Sequence, residues 1–456
     1  MGPLRTQSRD RAKPVPAIAL LSALYCAGTF GGSITAILVN APGAPPAAAT
    51  AFDGYPLAQK GYAGKALGMA AFSSVIGGIF SVIVLIVAAP LLSRVAYNFG
   101  PPEYFALAVF GLSMLATISG ESALKNLIGG AFGVLIATVG MDFTTGIERF
   151  TFGVWELSEG IHFIPVMIGL FAGAEFIKQS GKLDQKRERV ALDAVRLPSR
   201  AELKTCLTTI ARSCGLGSFI GLLPAEGGTV AAMMGYNEAK RFAKDKSQFG
   251  TGDLRGIAGP EAANNAATGA AMVPTLALGI PGSATTAIIL GALLVHRIRP
   301  GPHLFTEQPT LLYSIFLAML FANIAFGIFG FIGAKFFARI TLIPIEYLWP
   351  AVFMLACIGA YALEQSILDV WIMIVGGILG FVLQRFGFSA APIIMGLILG
   401  SLVEGTLKQS LIIFDHSWFG FLERPIVIVF LLLTITSISL PLIGQLRAWR
   451  EKTRKA

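Results

Sequence analysis

Between Gly259 and Pro302 the chain is apolar enough to lie in a membrane, yet it carries most of the residues that break a membrane helix. Pro274, Gly279, Pro281 and Gly282 interrupt it, and Asn264, Asn265, Thr268, Ser283, Thr285 and Thr286 supply hydrogen-bonding groups without charge. In lipid every backbone N–H and C=O must find a partner inside the protein, so irregular backbone survives only where protein or a wet cavity covers it. Such a stretch is either a proline-kinked packing helix with small residues at its contacts, or a broken helix of the kind that builds substrate and ion sites in transporters.

Composition narrows the class. The 456 residues are 54% hydrophobic and 13% charged, about half the charged share of an average soluble domain. Apolar runs of about 20 residues recur, each long enough to cross a bilayer of roughly 30 Å; the short alternating runs of a membrane barrel are not the pattern. The expected fold is all-α: a polytopic helical membrane protein with Pro/Gly-broken, re-entrant helices. The net charge of +9 comes from basic residues gathered in short loops and tails, which reads as membrane topology rather than nucleic-acid binding. Cys26, Cys206, Cys214 and Cys357 lie far apart, which indicates neither a disulfide framework nor a metal site. His162, His296, His303 and His416 form no H-E-x-x-H, and no P-loop is present. No enzyme, no cofactor and no metal beyond sodium is expected.

The chain organises around one boundary. Residues 1–15 are a polar N-terminal tail and 16–177 a first membrane region. Residues 178–212 are a basic linker with Lys186-Arg187-Glu188-Arg189 at its centre, 213–446 a second membrane region, and 447–456 a basic C-terminal tail. The excess of Lys and Arg assigns the linker to the cytoplasmic side. The two membrane regions are related. Glu103-Tyr104-x-x-x-Ala108-Val109-Phe110 recurs as Glu346-Tyr347-x-x-x-Ala351-Val352-Phe353, and Glu121 matches Glu364 at the same offset. Pro42-Gly43 matches Pro281-Gly282, and Pro165-x-x-x-Gly169-Leu170-x-x-Gly173 recurs as Pro392-x-x-x-Gly396-Leu397-x-x-Gly400. Two sequence-related repeats with a site at their interface are a mark of secondary transporters.

Candidate site residues cluster at the two matched breaks. A helix that restarts after Pro-Gly presents free N–H groups and the positive end of its dipole, which favour an anion. Pro281, Gly282, Ser283, Thr285 and Thr286 in one repeat, and Ser33, Thr35, Asn40, Pro42 and Gly43 in the other, are the candidate substrate-binding residues. The amides of Asn264 and Asn265 are hard oxygen ligands for a small cation. Glu226, in a third break at Leu223–Thr229, is an ionisable group beside an apolar run. These three are the candidate cation-binding residues. For any single Ser or Thr, back-bonding to the preceding turn is the plain alternative.

The motifs P-E-A-A-N-N-A-A-x-G and L-G-I-P-G-S-A-T-T-A resemble the large membrane subunit (TctA family) of the tripartite tricarboxylate transporters. G-G-S-I-T-A-I-L-V-N-A-P-G from Gly31, D-G-Y-P-L-A from Asp53, F-G-P-P-E-Y-F-A-L from Phe99 and R-F-T-F-G from Arg149 extend the resemblance over most of residues 17–425. It implies a permease subunit of a binding-protein-dependent secondary transporter for tricarboxylates or related organic acids such as citrate. It further implies Na⁺ or H⁺ as coupling ion, alternating access, and a bacterial inner membrane. The implied partners are a small membrane subunit and a periplasmic solute-binding protein. Two departures stand out: Ala225 replaces a glycine of the family's Pro-Gly-x-Gly, and the first repeat reads as lacking the family's first helix. A non-transporting or truncated homologue and an intramembrane enzyme are the alternatives.

Overall fold

The computed structural model describes residues 14–40, 42–114, 123–142, 145–180, 195–223, 227–332 and 345–455. In chain order, α1 is Pro14–Val39 and α2 is Ala47–Leu57, which continues through a π-type turn at Ala58–Tyr62 into α3, Ala63–Ala96. α4 is Pro101–Ser113 and α5 is Ala123–Ala137. A loop follows with the paired strands β1 (Gly140–Met141) and β2 (Glu148–Arg149), the only strands among the described residues. α6 (Phe163–Ile168) and α7 (Ala174–Ser180) are joined by a π-type turn at Gly169–Gly173. Then come α8 (Arg200–Gly221), α9 (Gly227–Arg241), α10 (Arg255–Leu278), α11 (Ala284–Val295), α12 (Leu304–Glu307) and α13 (Pro309–Ile332). The last four are α14 (Ile345–Glu364), α15 (Ile367–Arg385), α16 (Ala390–Ile413) and α17 (Pro425–Lys455). Among the described residues, α1, the α2–α3 run, α13, α15 and α16 are long and apolar enough to cross a membrane. The all-α, polytopic reading holds.

Two compact units form, and neither is a sequence half: one holds α1–α3 and α8–α13, the other α4–α7 and α14–α17. The repeat offsets explain why. They map α1 onto α10, α3 onto α13, α5 onto α15 and the α6–α7 segment onto α16. These counterparts run in opposite directions. Ser33, late in α1, bonds Glu261 near the start of α10, while Tyr25, earlier in α1, reaches Ser283, which follows Gly282 on Ala271 and Thr275 late in α10. A Cβ on Gly78 of α3 would strike Asn323 of α13, and one on Gly327 of α13 would strike Val75 of α3. In the second unit Lys125 Nζ, in the first turn of α5, donates to the carbonyl of Phe386 just past the end of α15. The repeats are therefore inverted, the arrangement that secondary transporters build on a pseudo-two-fold axis in the membrane plane.

Each helix also packs in parallel against the neighbour of its counterpart. α10 lies beside α3 with Gly77 on the Ala262 carbonyl and Gly269 on that of Ser81, and α1 lies beside α13 with Phe30 stacked on Phe326 at 5.1 Å. α5 and α16 meet through Gly129 on Pro392 and Gly400 on Ala137; α15 meets α6 and the turn after it through Gly169 on Met373 and Gly380 on Leu170. With little hydrophobic drive between helices in lipid, small residues that let backbones touch supply the packing.

Two boundaries differ from the sequence pattern. α10 starts at Arg255, four residues before the apolar stretch that opens at Gly259, and its Glu261, Asn264 and Asn265 are buried. α8 starts at Arg200, inside the expected linker. Its capping box there has Ser199 N donating to Glu202 Oε2 at 2.7 Å and Glu202 N to Ser199 Oγ at 3.4 Å. Burial works against the Glu202 charge, but Lys65 Nζ at 2.7 Å and the Ser199 bonds outweigh it and hold the carboxyl down at about 2.

Candidate functional site

The two matched breaks fold alike. Asn40, just past α1, has φ +50°, and Gly279, the residue that corresponds to it in the other repeat, has φ +70°. The left-handed turn reverses each chain, which then climbs back along the helix it has just left. Gly43 N donates to Gly32 O at 3.1 Å, and a Cβ on Gly43 would lie 2.9 Å from Gly32 Cα. Gly282 N donates to Thr275 Oγ1 at 3.2 Å, and a Cβ on Gly282 would lie 2.7 Å from Ala271 O. In both repeats the glycine rests on the residue eleven positions earlier, seven short of the helix end. That is a climb of roughly 10 Å at 1.5 Å per residue. The next helix, α2 or α11, therefore begins beside the middle of α1 or α10.

These two N-termini face each other along α10. Pro46, before α2, and Asn264 Oδ1 both lie against Gly228. From there α2 runs toward the start of α10, with Thr50 bonded to Glu261 and Asp53 beneath Gly256. α11 runs the other way: after its end, Gly301 N returns to donate to Leu276 O at 2.9 Å. Between Asn264 and Ala271 the body of α10 thus looks onto two helix starts about 10 Å apart. Each presents a positive dipole end; at α2 the N–H groups of Ala47, Ala48 and Ala49 already donate to the carbonyls of Ala44, Pro45 and Pro46 at 3.0, 3.2 and 3.3 Å. α11 carries its own capping box, with Ser283 N donating to Thr286 Oγ1 at 2.9 Å and Thr286 N to Ser283 Oγ at 3.2 Å. Tyr25 Oη of α1 stands 3.3 Å from Ser283 Oγ.

One turn below the gap lies Glu261, 1% exposed. Ser33 Oγ and Thr50 Oγ1 each donate to Oε1 at 2.5 Å, and Ser74 Oγ donates to Oε2 at 2.7 Å. Asn265 Nδ2 donates to the Glu261 carbonyl at 3.0 Å, and its buried Oδ1 has no hydrogen-bond donor among the described residues. Further along, Asp53 Oδ1 accepts the amides of Gly250, Gly252 and Asp253 at 2.8, 2.7 and 2.9 Å, which ties that loop to α2.

The predicted residues divide accordingly. Gly43, Pro281, Gly282, Ser283 and Thr286 stand at the facing helix starts, with Thr285 half-buried in the first turn of α11. Ser33 turns to Glu261 instead, and Thr35 back-bonds to Gly32 O at 3.1 Å. Asn40 and Pro42 are exposed on the climbing segment. Asn264 and Asn265 lie at the gap on α10, while Glu226 lies outside the described residues. Sequence reasoning passed over Glu261, Thr50 and Ser74. The signal available was the charge inside P-E-A-A-N-N, which has no basic residue at helical spacing to account for it. Among the described residues no three His, Cys, Asp or Glu side chains gather as a metal cluster.

Residues 6–395 match the family described as the tripartite tricarboxylate transporter TctA family. The chain belongs to that family. It is 38% identical over 441 residues to an uncharacterized 52.8 kDa protein in the TAR-I ttuC' 3'region of Agrobacterium vitis, covering 96% of this chain and 88% of that one. It is 36% identical over 236 residues to an uncharacterized protein in the TAR-II ttuC' 3'region of the same organism, covering 52% of this chain and 98% of that one. No solved structure matches it. As a TctA family member it is a multi-pass membrane subunit of a tricarboxylate transporter, one component of a tripartite system.

Proposed function

We propose that this TctA subunit is the permease of a binding-protein-dependent, cation-coupled secondary transporter that takes up tricarboxylates or related organic acids across a bacterial inner membrane. A small membrane subunit and a periplasmic solute-binding protein are its partners. The observation that carries the reading is the pair of inverted breaks that aim the starts of α2 and α11 at the same stretch of α10. Two positive helix ends about 10 Å apart suit a small molecule with carboxylates at both ends better than a single anion. The Ser283 and Thr285 hydroxyls add donors at one end. Asn265 Oδ1 adds a buried acceptor for a coupling cation or a substrate hydroxyl. An inverted pair of such hairpins can open to one side or the other of the membrane, which is the basis of alternating access.

Orientation follows from charge. Lys65 and Arg196 pair with Glu202, Arg212 with Glu238, and Lys60 bonds the Thr251 carbonyl. The starts of α3 and α8, the end of α9 and the loop before α10 therefore gather at one basic end, which belongs on the cytoplasmic side. Uptake of labelled citrate and other di- and tricarboxylates into proteoliposomes holding all three components tests the function. Accumulation driven by an imposed Na⁺ or H⁺ gradient is expected, and no uptake of any such acid sinks it. Ser199→Cys in a background without the four native cysteines is expected to react with an impermeant reagent from the cytoplasmic face alone.

A further inference from the structure

We propose that Glu261 is the proton-binding carboxylate of this transporter, taking up and releasing one proton as the hairpin of α1 and α2 engages and leaves α10. The proposal rests on the transport reading above and assigns its coupling step.

Glu261 is buried with oxygen partners alone. Its three hydroxyl donors come from three helices of one repeat, α1, α2 and α3, and the carboxylate itself stands on α10 of the other. One side chain thus joins the two repeats one turn from the facing helix starts. Among the described residues no Lys, Arg or His pairs with it. The titratable side chains on the elements around it are otherwise engaged or lie elsewhere. Asp53 of α2 serves three backbone amides, and Lys65 of α3 and Arg255 of α10 pair with Glu202 and Asp253. Cys26, Cys206, Cys214 and Tyr236, on α1, α8 and α9, share no hydrogen bond with it.

The choice of hydroxyls is the informative part. An arginine or lysine would fix the carboxylate in its charged form. A serine or threonine hydroxyl donates to a carboxylate and, by rotating, accepts from a carboxylic acid. The cage of Ser33, Thr50 and Ser74 can therefore hold either form. When the proton arrives, one O–H bond forms on a carboxylate oxygen, no bond breaks, and one hydroxyl turns from donor to acceptor or lets go. The hydroxyl oxygens already touch the carboxylate at hydrogen-bond distance, so a proton enters this cage without spreading it, whereas a metal cation has to stand between the oxygens. Thr50 lies in the first turn of α2, whose start faces the gap, so the protonation state bears directly on one wall of the substrate site.

The test uses the full chain in lipid nanodiscs and infrared difference spectra between acid and neutral pH. The wild type is expected to show the carbonyl stretch of a dehydrated carboxylic acid, and Glu261→Gln to lose it. Thr50→Val and Ser74→Ala each remove one donor to the ionised form. Each is expected to move the pH midpoint of that band upward by about 1–2 units, and these variants decide the matter if Glu261→Gln does not fold. A band that survives in Glu261→Gln, or a midpoint that neither hydroxyl variant moves, overturns the proposal. With the partner components present, folded Glu261→Gln is expected to keep substrate counterflow and to lose uptake driven by a pH gradient. Loss of both, or retention of both, also overturns it. If the wild type moves no organic acid at all, the transport reading fails while the infrared result still decides whether Glu261 titrates.

Discussion

The unit of α4–α7 and α14–α17 pairs carboxylates with Arg or Lys, whereas the unit of α1–α3 and α8–α13 buries a carboxylate among hydroxyls in its central helix. Both use inverted pairs of parallel helices whose glycines rest on neighbouring backbone. In the former unit Glu103 sits in the first turn of α4, accepting from Gly100 N at 2.8 Å and pairing with Arg424 at 3.4 Å. Arg149, of the R-F-T-F-G motif, makes a two-pronged contact with Glu404 at 2.6 and 3.1 Å, and Lys408 bridges Glu404 and Asp142. These groups tie the β1–β2 loop to α16 and the start of α4 to Arg424. In the latter unit the polar groups on α10 meet hydroxyls of α1, α2 and α3 and the turn before α11. The same backbone scheme yields one unit where polar groups satisfy one another, and another where two helix starts face the central helix and the buried Asn265 Oδ1 has no hydrogen-bond donor among the described residues.

The contrast breaks most readily at its glycines. Gly282→Ala is expected to cut uptake per folded molecule on the order of a hundredfold, the scale on which an ångström of misplacement acts on a bound molecule. Its Cβ would press on the carbonyl oxygen, Cα and Cβ of Ala271, at 2.7, 2.8 and 2.9 Å. Gly43→Ala should act in the same direction. Gly396→Ala, aimed at the Gly130 carbonyl in the other unit, should cost about 1–3 kcal/mol of stability by overpacking and leave uptake per folded molecule unchanged. Equal effects from Gly282→Ala and Gly396→Ala on that measure would erase the distinction between site and scaffold.

Ser283→Ala removes a hydroxyl at the start of α11. If it meets a substrate carboxylate, affinity for citrate should fall roughly ten- to a hundredfold, the worth of a hydrogen bond to a charged group. The lost cap alone should lower stability by about 1 kcal/mol. Titrating binding and melting the same sample separates the two, and a fall in stability without a fall in affinity takes Ser283 out of the site. Arg149→Lys, which keeps the charge and loses the two-pronged geometry, should cost about 1 kcal/mol in the melt, with citrate affinity as in the parent.

The smallest expected effect is electrostatic. The Glu202 carboxyl is held at about 2, below its value near 4.3 in an unfolded chain. Its contribution to stability is therefore fully present above that unfolded value and is lost as pH falls toward 2. Glu202→Gln should flatten the decline in melting temperature over this window and change little at neutral pH. An unchanged acid limb would mean that Lys65 and Ser199 do not hold the carboxyl as described.

How far the sequence carried depended on what each residue had to reveal. The breaks were legible because proline and glycine are local events, and their common register survives in the repeats. The inversion was not. Direction is a property of packing, and it took Lys125 on Phe386 and Ser33 on Glu261 to show it. The burial of Glu261, Asn264 and Asn265 was not legible, because hydropathy reads them as surface and only their neighbours turn them into core. Glu261 was visible as a letter, but its three hydroxyl partners stand on three helices 187 to 228 residues away in sequence, and no local pattern links them.

The cross-pairing of repeats has a consequence for biosynthesis. α3 is complete at Ala96, but α10, the helix its glycine face packs against, starts only at Arg255. Roughly 160 residues must be translated in between, some 8–30 s at ordinary ribosomal rates. During that time Gly77 and Gly78 lack their partners, and Ser33, Thr50 and Ser74 have no carboxylate to serve. The first half of this chain therefore enters the bilayer as an open surface, and whatever shields its polar stripe in that interval, whether lipid headgroups, the insertion machinery or a neighbouring chain, decides how much of the protein reaches its final pairing.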